Sequence, residues 1–379
     1  MRTLFVRDPT SPAAMLRLAF HDCQVDVIRT CKNPSSFLFF SFLFFSFLFL
    51  SFLFFARSTS VCLVCLWFCL SGLSVILSVW SLLVLSSWPF CCFENPNPNS
   101  NVCIQACDAS ILLDSGSDGT SELQSGSNGG IRRLNWIDNV KQRLEAACPG
   151  TVSCADIIAL AARDAVALNG GPDIHLRLGR LDGFEASASE ASSSLPPATI
   201  SVSSMLDLFA EMGMDAAESV AILGAHTVGV AHCSNFANRL YPVRDPNMGL
   251  LFANTLRARC PRSFPSNAFA ALDTTNLRFD SAYFRNVLNG RGLLTIDSEI
   301  GLDPRTVGIV QNFANNQPAF FDAFASAFQK MTSNLAPQGE VRLNCHSVNN
   351  NWCNPSIHPA INPQKDSISF CHLISSPTE

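Results

Sequence analysis

The chain has 379 residues, enough for one large domain or two modest ones with a sizeable core. A net charge of −5, with lysines and arginines scattered rather than clustered, leaves no basic stripe of the kind nucleic acid requires. Sixteen cysteines without zinc-ribbon pairing point to an oxidising compartment where disulfides persist, since Cys62 and Cys65 form only a lone C-x-x-C.

Residues 1–26 begin polar and without the apolar run of a signal peptide, so either the protein is not exported or the true N-terminus is expected to lie further upstream. No N-x-S/T sequon survives once proline is excluded at x, so glycosylation adds nothing on export. An apolar-periodic helix is predicted around 13–23. It places Arg17 and His21 four residues apart, on one face. An imidazole there can take a proton from one peroxide oxygen and return it to the other, and a guanidinium can stabilise the charge that develops as the O–O bond breaks. Taken alone, such a pair is more often a surface pair. His21-Asp22 also matches the metal-binding dyad of HD-type phosphohydrolases. That reading needs further ligands, and none of His175, His226, His232, His346, His358 and His372 sits beside a convincing carboxylate partner.

Residues 27–105 differ in kind. Only Phe, Leu and Ser occur from 37 to 55, and 61–93 is again apolar. The block is read as a retained intron, because these residues are encoded largely by pyrimidine-rich codons, Val27 codons begin GT and Gln105 can be CAG. Removing its 79 residues joins His21-Asp22-Cys23-Gln24-Val25-Asp26 directly to Ala106-Cys107-Asp108-Ala109-Ser110. A membrane span of roughly 20 residues and a buried core segment are the alternatives.

From 106 to 348 the composition is that of a globular domain, and the pattern is mostly helical. Helices are predicted over 152–168, with Ser153 as cap, over 215–228 and over 313–331. Short strands are predicted at 175–178 and 292–295. The Asn-, Pro- and Ser-rich tail, 349–379, is expected to be disordered.

Several motifs in order then resemble the class III plant peroxidases, the horseradish peroxidase family. They are R-x-x-F-H-D-C ending at Cys23, C-D-A-S-I-L-L-D from Cys107, C-P-G-T-V-S-C-A-D-I from Cys148, G-R-L-D from Gly179, L-G-A-H-T-V-G from Leu223 and V-R-L-N-C ending at Cys345. The resemblance covers about 10–26 and 106–348. It implies an all-α haem peroxidase fold, two helical domains with haem between them. The implied enzyme is a donor:hydrogen-peroxide oxidoreductase, a monomer, extracellular or vacuolar, that oxidises small phenolic donors one electron at a time.

By that resemblance Arg17 and His21 are the distal pair, Asn128 orients the imidazole, and Pro196 lines the reducing-substrate site. The segment Gly129-Gly130-Ile131-Arg132-Arg133 departs from the commoner family pattern. His226 is the implied axial ligand of haem b iron, with Asp297 on its other ring nitrogen. Gly224 and Gly229, each costing roughly 1 kcal/mol inside a helix, are read as making room for a planar group. Two calcium ions are implied. The distal one would take Asp22, Asp108 and Ser110 with the carbonyls of Val25 and Ala106. The proximal one would take Thr227, Asp273, Thr275 and Asp280 with the carbonyl of Arg278, in a run one residue shorter than the family's.

The implied disulfides are Cys23–Cys107, Cys154–Cys345 and Cys233–Cys260, a set that cytosolic ascorbate-type peroxidases lack. Cys148 would then be orphaned, its partner lying upstream of Met1. Two competing readings remain. One is an inactive or misfolded product of a peroxidase gene with wrongly drawn exon boundaries, since closing a loop of this length costs on the order of 4 kcal/mol. The other is a membrane-anchored peroxidase, which requires the 27–105 block to be real protein.

Overall fold

The computed structural model describes residues 2–25, 106–265, 267–333, 336 and 338–349. The chain divides into two units, one of 1–27 with 103–379 and one of 28–102. The second unit lies outside the described residues, as do the intron and membrane readings of 27–105 and the disorder expected of the tail.

The described residues are helical, with α1 Arg2–Arg7, α2 Ser11–Gln24, α3 Leu134–Ala147, α4 Cys154–Leu168, α5 Ala188–Ser194, α6 Val202–Glu211 and α7 Ala216–Leu223. There follow α8 Ala237–Leu240, α9 Leu250–Arg259, α10 Ala282–Leu288, α11 Thr295–Glu299, α12 Val307–Asn315 and α13 Gln317–Ser333. Among these residues the only sheet pairs β1, Val230–His232, antiparallel with β2, Phe269–Ala271. The strands predicted at 175–178 and 292–295 are not strands: the first carries no regular structure, and the second leads into α11. No described helix is long and apolar enough to cross a membrane.

Local chemistry explains the helix limits. Pro12 occupies the first turn of α2, where a missing N–H costs nothing. Ser153 caps α4 by accepting from the Asp156 amide at 3.1 Å, as predicted. Asp215 and Glu218 form a reciprocal capping box on α7. The single helix predicted over 313–331 is two, because Pro318 belongs in a first turn and the chain breaks before it at Asn316.

The core joins α2 to α4 through Leu18, Ala19, Ile158 and Ala162, all buried. A second, aromatic region joins α7, α10, α12 and α13, where Phe284 meets Phe320 at 4.8 Å and Phe279 meets Phe324 at 4.7 Å. Buried ion pairs tie distant segments together. Arg180 bonds Asp156 at 2.7 Å and the Thr332 carbonyl at 2.6 Å. Asp182 accepts from the amides of Cys154, Ala155 and Arg342, two of them at the positive end of α4.

The three expected disulfides are present. Cys148 is disulfide-bonded as well, which corrects the expectation of an orphan. Cys23 and Cys107 have Cα atoms 4.1 Å apart although 84 residues separate them in sequence. A few residues can therefore bridge the same gap. Deleting 27–105 is expected to leave the helical circular-dichroism spectrum and the Cys23–Cys107 bond, mapped by mass spectrometry, intact. With both thiols reduced, the shorter connection lowers the closure cost by about 2–3 kcal/mol. Loss of that bond in the deleted chain would contradict the junction.

Candidate active site

Arg17 and His21 lie on the half-buried face of α2, whose other face carries Met15, Leu18, Ala19 and Cys23 into the core. Arg17 Nε donates to His21 Nε2 at 3.1 Å. Its Nη1 and Nη2 donate to the carbonyls of Gly129 at 2.9 Å and Ser127 at 3.1 Å. On the other side of the ring, His21 Nδ1 lies 2.6 Å from Asn128 Oδ1.

The tautomer follows from the partners. Asn128 Nδ2 is committed to the Glu122 carbonyl at 2.7 Å, which turns the amide oxygen toward His21. Nδ1 therefore carries the proton, and Nε2 presents a lone pair. Burial, then the Arg17 charge, lower the His21 pKa to about 4 against the opposing Asn128 bond, so the ring is a neutral base at neutral pH.

His226 sits in a 3-10 turn, Gly224–Thr227, which follows α7. The helix predicted over 215–228 thus ends early. Its Nδ1 is 2.8 Å from Asp297 Oδ1, and Asp297 is fully buried in the first turn of α11. Leu294 N–H donates to Asp297 Oδ2 at 2.9 Å, and Tyr283 Oη donates to Oδ1 at 2.9 Å. Burial alone would raise this carboxyl; the His226 ring and these donors hold it below the usual range. All hydrogen bonds of His226 to described residues run through Nδ1, which leaves the Nε2 lone pair unengaged among them.

The two glycines have a different reason from the one expected. A Cβ on Gly224 would lie 2.4 Å from the Phe320 ring and 3.1 Å from Phe284, so the aromatic core requires this glycine. Gly229 has φ +98°, and its Cβ would lie 2.9 Å from that of Ala13. Packing within the protein and the positive φ of Gly229 account for both glycines without a planar ligand.

The implied ion sites converge. Asp22 is fully buried, and neither carboxylate oxygen finds a well-formed hydrogen bond, the nearby Ala109 amide notwithstanding. Burial, then Asp108 and Glu122, push its pKa well above the carboxylate range. Burial likewise raises Asp108 to about 6 and Glu122 to about 8. Val25 and Ala106 are buried at the ends of the two flanking segments, and the Ser110 amide donates to Asp108 Oδ1 at 3.0 Å.

On the proximal side Thr227 Oγ1 contacts Asp273 Oδ2 at 2.8 Å and the Arg278 carbonyl at 3.4 Å. Thr275 Oγ1 bridges Asp273 and Asp280 at 3.1–3.3 Å. Burial leads the causes that raise Asp273 to about 6, with Asp280 adding to it. No three His, Cys, Asp or Glu side chains among the described residues form a metal cage. A cation at either place would have to draw on hydroxyls and backbone carbonyls as well as carboxylates.

A family model described as Peroxidase matches residues 1–316. The chain belongs to the peroxidase family. Peroxidase 29 of Arabidopsis thaliana is 37% identical over 360 residues, 92% of this chain and 83% of that protein. Peroxidase 66 of the same plant is 41% identical over 254 residues, 65% of this chain and 79% of that one. Peroxidase 2 of Oryza sativa subsp. japonica is 43% identical over 254 residues, 65% of this chain and 78% of its own length. This peroxidase carries the class III disulfide set and motif order, and members of the family use haem.

The structure brings together Arg17, His21 and Asn128, then His226 and Asp297, then Asp22, Asp108 and Ser110, and lastly Thr227, Asp273, Thr275, Asp280 and the Arg278 carbonyl. Pro196 is half-buried in the loop after α5, and the Ile296 amide donates to the Ala198 carbonyl at 3.4 Å, which ties that loop to α11. The unusual Gly129-Gly130 segment has a local role: the Gly129 carbonyl anchors Arg17. Gly130, at φ +88°, packs so closely that a Cβ would lie 3.2 Å from Arg17 Nη1 and 3.1 Å from His232 Nε2. Arg132 and Arg133 both pair with Asp8, pinning the segment to the start of α2.

Sequence reasoning missed Glu122, Tyr283 and the carboxylate partners of His346. His346 bonds Asp114 through Nδ1 at 3.2 Å and Asp138 through Nε2 at 3.0 Å, so a histidine read as lacking carboxylates has two. Those aspartates are more than 200 residues away in sequence, beyond any local pattern. Tyr283 had a usable signal: it is one of only two tyrosines, in an apolar helix, and a buried phenol must find an acceptor.

Proposed function

We propose that this peroxidase reduces hydrogen peroxide and oxidises small phenolic donors, with haem b held by His226 and calcium held at both ion sites. The observation that carries the reading is the pair of opposed histidine environments. His21 is neutral, with its proton fixed on Nδ1 and a lone pair on Nε2 beside a guanidinium. His226 is tied through Nδ1 to a buried carboxylate, which raises the basicity of Nε2 as a metal ligand. The donor chemistry fits a histidine-ligated haem, and the orphaned Asp22 oxygens fit a hard cation.

Bound haem would supply the iron on which peroxide oxygen is reduced. His21 Nε2 takes the proton from one peroxide oxygen and delivers it to the other, so that water leaves. Arg17 releases its bond to Nε2 as peroxide enters and offers its charge to the oxygen that gains electron density. In balance, one hydrogen peroxide and two phenols give two waters and two phenoxyl radicals. Pro196 would line the place where the phenol is received. The disulfides support export, to the extracellular space or the vacuole, and the proposed enzyme is a monomer.

Reconstitution of the full chain with haem tests the reading. A Soret band and guaiacol oxidation are expected, with His226→Ala losing both while retaining helical circular dichroism. Folded protein that takes up no haem would overturn it.

A further inference from the structure

The buried carboxylate behind His226 is shared. Asp297 Oδ1 accepts from His226 Nδ1 at 2.8 Å and from Tyr283 Oη at 2.9 Å, whereas among the described residues Oδ2 accepts only from the Leu294 amide. Tyr283 is 1% exposed, and its ring stands edge-on to the imidazole, with centroids 6.0 Å apart and planes at 82°. Phe284 packs edge-on against it at 4.9 Å, so the phenol has little freedom to turn away. Burial and the Asp297 charge keep the phenol protonated, so its oxygen acts toward the carboxylate only as a donor.

The Leu294 amide has its own support. Arg239, also buried, donates through Nη1 to the carbonyls of Gly292, Leu293 and Leu294 at 2.5–2.8 Å. The segment that holds Oδ2 is thus fixed independently of Tyr283. What the phenol alone controls is how much of Oδ1 remains for the imidazole.

We propose that Tyr283 is a positioning residue that limits the pull of Asp297 on His226, by sharing the carboxylate oxygen that receives the Nδ1 proton. An oxygen whose lone pairs already serve one strong donor accepts a second more weakly, because each bond draws on the same negative charge. With the phenol present, Nδ1–H is polarised less, and Nε2 is a weaker electron donor than an unshared carboxylate would make it. The effect passes through Asp297, two bonds removed from any ligand. The inference rests on the reading of His226 as axial ligand.

Tyr283→Phe tests it, keeping the ring and its packing and removing only the hydroxyl. In the haem-free protein the His226 Nδ1–H proton resonance is expected to move downfield, reporting a stronger bond to Asp297. In the haem-loaded full chain the ferrous iron–histidine stretching band is expected to rise and the ferric/ferrous potential to become more negative. Unchanged resonance, band and potential in a variant with wild-type circular dichroism would overturn the proposal. Asp297→Asn separates the two layers of inference. If it lowers the iron–histidine band while Tyr283→Phe leaves the band fixed, the tyrosine proposal alone fails. If Asp297→Asn also leaves the band fixed, the axial reading fails with it.

Discussion

His21→Ala is expected to slow the reaction with hydrogen peroxide by about 10²–10⁴-fold, while haem uptake stays intact. The variant removes the neutral base beside the Arg17 guanidinium, and no other described residue bonds Arg17 Nε. Stopped-flow mixing with peroxide reads the rate directly, and an unchanged rate would remove His21 from the mechanism. The wild-type pH profile adds a second check. Only the neutral ring accepts a proton, and its folded pKa is about 4. The rate should therefore be flat above that pH and fall about tenfold for each unit below it. An ordinary histidine would begin to lose activity near pH 6.5. The same depressed pKa has a stability consequence of defined sign. Between pH 6.5 and 4 the unfolded chain gains a proton that the folded one does not, so folding weakens as pH falls through that window and levels off below it.

How far the sequence reaches depends on whether a feature is local. The face of α2 that bears Arg17 and His21, and the Ser153 cap, follow from spacing and short-range hydrogen bonding. The disulfides and the His226–Asp297 pair span 27 to 191 residues, and are legible through ordered motifs rather than through periodicity. The failures share a cause. Gly224 reads in sequence as space for a ligand because its steric partners, Phe284 and Phe320, lie 60 and 96 residues further on. The sharing of Asp297 by His226 and Tyr283 joins a 3-10 turn, α10 and α11, and no single segment encodes it. The expected strand at 175–178 has β-compatible residues, but pairing across the fold goes instead to 230–232 with 269–271 and to the isolated bridge of Asp182 with Glu340.

Calcium removal is expected to lower the melting temperature by about 5–10 °C where the free ion had stood at roughly a hundredfold excess over its dissociation constant, and by more at pH 8 than at pH 5. The distal site sets the sign. Asp22, Asp108 and Glu122 all have raised pKa values in the cation-free protein, because burial and mutual repulsion disfavour their charged forms. A raised carboxylate pKa means that the folded state holds protons the unfolded state has lost. Cation-free stability must therefore fall as pH rises from the ordinary carboxylate range toward 8, the value reached by Glu122. A bound divalent cation replaces those protons and flattens the profile. Thermal melts at the two pH values, with and without chelator, measure this difference. Asp22→Asn supplies the control, since it removes one buried charge whose oxygens have no other well-formed partner. Its melt should respond little to chelator through the distal site, and at pH 8 it should exceed that of the chelated wild type. Equal chelator shifts at pH 5 and pH 8 would show that these carboxylates do not hold the ion.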